Sequence, residues 1–274
     1  MKTVMIAAVG LASAAAPALA QTFFATRGTT LYRMDGIGGP VSTFTLSDEI
    51  IGIGQTADGM VYGVSQIPQP GDVSKLYRID DIEGTPSLTL IPSTLSRLYT
   101  SLTAVGNDLY AFRAGGPGST IGQLARIDKD TGVETPLASL NSFRGSGGAA
   151  YDPGTDTMWV LGDSDNTRLF TVDDYEPVGY PELAVTEVGA IGLNSPSFGL
   201  EFYRGVLYGA VTDLDTGALT LGRFNTNTGA FIGLADLDFG ITEGAPTALF
   251  VIPSPATPTL ALLGIGAAGI RRRR

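Results

Sequence analysis

Neither histidine nor cysteine occurs anywhere in the 274 residues. That removes Ser-His-Asp and Cys-His nucleophile systems, and any zinc, copper or haem site built on those side chains. Carboxylates and oxygen-ligated metals remain. Asp128-x-Asp130-x-Gly132 and Asp213-x-Asp215-x-Gly217 carry part of a calcium-loop spacing. Both lack the further acidic position and the glutamate at the twelfth place that complete such a site. The equivalent Asn225-x-Asn227-x-Gly229 uses amides, which favours a shared turn over calcium. Glu201 is the second candidate. Its neighbours in the same repeat position are Gly54, Thr103 and Ala150, so it is the one charge in that row. A lone carboxylate facing a channel could hold a cation or a sugar hydroxyl; the plainer expectation is solvation or a pair with Arg204. Ser146 has no base beside it, and Gly52-x-Gly54 precedes no helix, so neither a nucleophile nor a dinucleotide loop is assigned. The sequence nominates no catalytic residue, no cofactor and no metal site beyond the calcium alternative.

The elements that would carry these residues repeat. Leu31-Tyr-Arg-Met-Asp35, Leu76-Tyr-Arg-Ile-Asp80, Leu124-Ala-Arg-Ile-Asp128, Leu169-Phe-Thr-Val-Asp173 and Leu221-Gly-Arg-Phe-Asn225 follow one another at offsets of 45, 48, 45 and 52 residues. An aromatic row precedes each: Phe23-Phe24-Ala25, Val61-Tyr62-Gly63, Leu109-Tyr110-Ala111, Met158-Trp159-Val160 and Leu207-Tyr208-Gly209. Before that comes a small-residue strand, and after it an outer strand, which makes four short strands per period. Periods in the forties with that composition indicate propeller blades. The repeated Arg33, Arg78, Arg126 and Arg223 are expected on the face away from the buried side chains, or bridging blades through the repeated aspartates. Trp159 and the tyrosines of its row are expected to pack between sheets.

The phase of the repeat closes the ring. Residues 22–26 form a second strand with no first strand before it, and 245–251 form a first strand with no blade after it. Pairing them completes one blade and hides two edges that would otherwise invite aggregation. Five blades are expected, or six if a degenerate unit occupies 174–198. The pattern resembles secreted propellers of the NHL and YVTN kind across residues 22–251, at the level of blade pattern.

Both ends of the chain read as addresses. Met1-Lys2, the apolar run Val4–Ala16 and Ala18-Leu19-Ala20 make a secretion signal, cut between Ala20 and Gln21. At the far end stand Pro253-Ser254-Pro255-Ala256-Thr257, then 12 uncharged residues from Thr259 to Ile270, then Arg271, Arg272, Arg273 and Arg274. Twelve helical residues span roughly 18 Å against a hydrocarbon core of about 30 Å, so a helix there is a weak anchor. The arginines favour a cytoplasmic end and leave the body outside. This order resembles the PEP-CTERM sorting tail, with Ser254 where the family pattern has glutamate. The resemblance implies processing near the motif by an exosortase-type membrane enzyme, brief retention at the inner membrane, and delivery to the outer envelope or beyond.

Excluding both ends leaves 21–252 as the propeller. Lys2 and the four terminal arginines are five of the 17 basic residues, so the body has 12 basic residues against 27 acidic ones, a charge of −15. Such a surface disfavours nucleic acid and anionic lipid. The expected function is a non-catalytic exported module that binds extracellular polysaccharide or envelope proteins. The alternative is a secreted carboxylate- or metal-dependent enzyme, lactonase- or lyase-like, because propellers carry both kinds of function.

Overall fold

The computed structural model describes residues 21–65, 73–92, 95–113, 122–141, 147–162, 167–172, 174–195, 199–213, 215–216, 218–237 and 248–253. The C-terminal helix expected beyond Pro253 and the signal segment lie outside these residues. Among the described residues every regular element is a strand, and the strands form five sheets.

The first blade has β1 (Gln21–Arg27), β2 (Thr30–Asp35) and β3 (Val41–Thr45). The second runs through β4 (Ile50–Gln55), β5 (Val61–Ser65), β6 (Leu76–Asp80) and β7 (Ser87–Ile91). In the third are β8 (Ser101–Val105), β9 (Asp108–Arg113), β10 (Gly122–Ile127) and β11 (Glu134–Asn141). The fourth holds β12 (Gly148–Asp152), β13 (Thr157–Gly162) and β14 (Arg168–Val172). After it come β15 (Glu182–Ala184) and β16 (Thr186–Ala190). The fifth is β17 (Leu200–Tyr203), β18 (Val206–Thr212), β19 (Leu219–Phe224) and β20 (Phe231–Asp236).

β21 (Ala248–Pro253) then returns to the first blade. It runs antiparallel to β1, from Gln21 opposite Pro253 to Thr26 opposite Ala248. The ring is closed by its own two ends, as the repeat phase requires. The strand sits two to three residues later than the 245–251 expected, and Pro253, the first residue of the sorting motif, is its last.

Five blades are present. Segment 174–198 does not make a sixth. Instead the outer strand expected at 183–188 is split: β15 adds in parallel to β11 of the third blade, while β16 completes the fourth. A chain that edges two sheets in succession covers one strand edge and supplies another.

Alternation along the strands sorts side chains between two seams, not between core and solvent. Tyr110 faces the fourth blade with Phe112 and Leu124, while Leu109 and Ala111 face the second. Five buried clusters result, one per seam, and the one between fifth and first blades holds Phe23, Tyr208, Leu249 and Val251. The aromatic row fills these seams, as expected.

At the axis the inner strands β21, β4, β8, β12 and β17 crowd together, and the cavity between them is only about 10 Å³, room for one water at most. A Cβ on Gly199 would lie 2.0 Å from the backbone nitrogen of Leu249, and one on Gly52 2.6 Å from that of Leu102. Backbone cannot yield as a flexible side chain can. Gly199→Ala is therefore expected to cost about 2–4 kcal/mol as an overpacked core site, read as a lowered thermal midpoint. An unchanged midpoint would show that β17 and β21 do not meet as described.

Candidate functional site

Glu201 is the second residue of β17 and pairs with Tyr208 of β18. Cross-strand partners share a face, so its carboxyl points into the seam between fifth and first blades, beside the cluster of Phe23, Leu249 and Val251. Phe23 meets Tyr208 edge-on at 5.5 Å between centroids. Glu201 is half-buried, and desolvation raises its carboxyl well above the ordinary range. Among the described residues neither an ion pair nor a side-chain hydrogen bond offsets that effect.

The expected partner is elsewhere. Arg204, the next-but-two residue, lies with its guanidinium carbon 5.2 Å above the Tyr203 ring. It occupies a tight turn at φ 52° and forms no ion pair with Glu201 among the described residues. Tyr203 shares the Glu201 face by strand alternation, and its hydroxyl is buried without a partner. The seam thus contains a carboxyl shifted toward its protonated form and an unsatisfied phenol. A protonated carboxyl can donate one hydrogen bond and accept another. By its perturbed state and position it is the functional candidate that the sequence nominated.

The other candidates resolve into structural roles. Asp128 Oδ1 accepts from the Asp130 nitrogen at 3.1 Å, the Thr131 nitrogen at 2.8 Å and the Thr131 hydroxyl at 2.8 Å. The Thr131 bonds hold this carboxyl below its ordinary value. Asp213 takes the Asp215 nitrogen at 3.1 Å and the Thr216 hydroxyl at 2.9 Å, and Asn225 Oδ1 takes the Asn227 nitrogen at 2.9 Å. Acid and amide perform one task, which is to cap a turn. Ser146 lies outside the described residues. So do Gly217, the remainder of the sorting motif (Ser254 to Thr257), the terminal arginines and Ala20.

The arginines depart from one expectation. Arg33 shares the face of buried Leu31 instead of the opposite face, because both faces of a blade are covered by neighbouring blades. Its Nε meets Asp35 at 3.0 Å within the same strand, while its Nη1 donates to the Glu83 carbonyl of the second blade. Arg78 pairs with Asp80 at 2.6 Å. Arg126 reaches Glu176 of the fourth blade at 3.5 Å. Arg33 and Arg126 thus bridge to the next blade, while Asp35 and Asp80 hold Arg33 and Arg78 along their own strands. Among the described residues no three acidic side chains converge as a metal site needs.

No protein-family model and no curated protein matches the chain. Among solved structures it is similar to a protein described as an oxidoreductase (glucose dehydrogenase) from Thermus thermophilus, with 14% identity and a TM-score of 0.45 over 77% of this chain and 78% of that one. The propeller architecture stands on this chain's own strand pairings, and the likeness carries no statement about chemistry.

Proposed function

We propose that this chain is an exported, non-catalytic propeller that is processed at both ends and acts in the envelope or extracellular matrix as a binding module. The supporting observation is where the body starts and stops. Gln21, the residue after the Ala-Leu-Ala signal site, stands opposite Pro253, the first residue of the sorting motif, in the pairing that closes the ring. Removing what lies on either side leaves every strand pair in place. An exosortase-type membrane enzyme is the processing partner, and polysaccharide or envelope protein the binding partner. The binding role is favoured over catalysis because Glu201 has no second acid, base or nucleophile bonded to it among the described residues. Mass spectrometry of the mature protein from its native host tests the export reading. A species beginning at Gln21 and lacking Arg271–Arg274 is expected. Intact terminal arginines on the mature form would overturn it.

A further inference from the structure

A groove of about 550 Å³ opens between the fourth and fifth blades, on the side of the β12–β13, β17–β18 and β19–β20 turns. That volume lies in the usual range of about 300–1,000 Å³ for small-molecule sites. Trp159 of β13 and Phe202 of β17 supply its apolar wall. Phe202 lies on the face of β17 opposite Glu201, so this is a separate site from the seam described above.

Two features of the lining point to a ligand. First, Trp159 is 7% exposed and its indole nitrogen is buried without an acceptor. The equivalent aromatic one blade earlier, Tyr110, donates its hydroxyl to Glu176 of the next blade. The sequence places an aromatic with a polar handle at both seams, and at this one the handle is unmatched. A buried donor left unpaired is costly, so this seam is less closely matched than its neighbour, and it is the seam that opens into the groove. Second, the side chains of Thr171, Thr226 and Asn227 border the groove and make no side-chain hydrogen bond among the described residues. They are uncharged donors and acceptors. The one acid in the lining, Asp152, is occupied: its oxygens accept from the Gly154 nitrogen at 2.8 Å and the Thr155 hydroxyl at 2.8 Å.

We propose that this groove between the fourth and fifth blades binds a neutral, hydroxyl-rich ligand, a sugar, with its apolar face against Trp159 and Phe202 and its hydroxyls on Thr171, Thr226 and Asn227. Cationic side chains are absent from the lining among the described residues, and the body is acidic, so anionic ligands are disfavoured on charge. A single engaged carboxylate does not hold a metal ion. The proposal rests on the binding-module reading and names its ligand class; it does not depend on export.

Trp159 is the only tryptophan in the chain, so intrinsic fluorescence reads this groove directly. The full-length protein is titrated with neutral hexoses, N-acetylhexosamines and their short oligomers, with glucuronate as the charged comparator. A saturable change in emission is expected for at least one neutral sugar. Calorimetry then follows the variants. Asn227→Ala and Trp159→Phe are each expected to weaken binding about tenfold, the first by losing one hydrogen bond and the second by losing part of the apolar wall. Thr43→Ala, on the exposed β3 of the first blade, is expected to leave it unchanged. No saturable response up to about 10 mM, a concentration at which even weak specific sites fill, would overturn the proposal. Equal affinity for glucuronate, or full affinity in both groove variants, would also overturn it. Because Asn227 sits in an exposed turn, its variant stays folded even if the buried Trp159→Phe does not. Failure here leaves the terminal processing measured by mass spectrometry untouched, and the reverse holds as well.

Discussion

Truncation after residue 247, which deletes β21, is expected to abolish the cooperative thermal transition, whereas truncation after Pro253 is expected to preserve it. β21 is the only strand of the first blade that comes from the far end of the chain, and it places Leu249, Phe250, Val251 and Ile252 in two seams at once. Each is at most 4% exposed, and burying such a side chain is worth about 1.5–3 kcal/mol. Together they are comparable with the whole net stability of a domain, roughly 5–15 kcal/mol. Phe250 also meets Phe24 at 6.1 Å between ring centroids. Deletion further exposes the whole edge of β1, which then offers its unpaired backbone to another copy. Differential scanning calorimetry and light scattering on the two truncations check this. If the 1–247 protein melts as cooperatively as the 1–253 protein and stays monomeric, the ring is not sealed by its termini.

Glu201→Gln is expected to stabilise the protein at neutral pH, by roughly 5 °C if the gain is about 2 kcal/mol, since each 1 kcal/mol moves the midpoint about 2–4 °C in a body of this size. Desolvation raises this carboxyl in the folded state. In the fold it therefore keeps a proton that the unfolded chain releases. Stability falls as pH climbs from the ordinary carboxylate range through the folded value, and is fully kept below that range. Glutamine has the same shape and no charge to lose. The advantage of the variant should accordingly vanish below about pH 4, where glutamate is protonated in both states. Midpoints measured from pH 3 to 8 decide it, and parallel profiles for the two proteins would show that the carboxyl is not desolvated in the seam. A residue whose replacement stabilises the fold is the usual sign of a position held for activity or binding.

Much of the site was hidden from the sequence for a physical reason. Alternation reports which residues share a face, and in most sheets one face is wet. Here both faces are covered, so Arg33 and Leu31 lie on one side, and the sequence pattern of Trp159 indicates packing alone. Its indole packs in the seam between the fourth and fifth blades and also borders the groove. Only its status as the single tryptophan set it apart in the sequence. Asn225 and Asn227 carry turn signals that hold for the backbone and are silent about the space above it.

The sequence by itself determined the blade repeat and the joining of the first strand to the last, and it favoured five blades over six and turn caps over calcium at Asp128, Asp213 and Asn225. These follow from local composition and from the phase of a repeat, which every copy reports again. Only the tertiary structure decided where Glu201 is enclosed, that Arg204 stacks on Tyr203, that residues 182–190 divide between two blades, and that one seam opens into a groove. Those outcomes depend on the contact of side chains from different blades, which no single repeat contains.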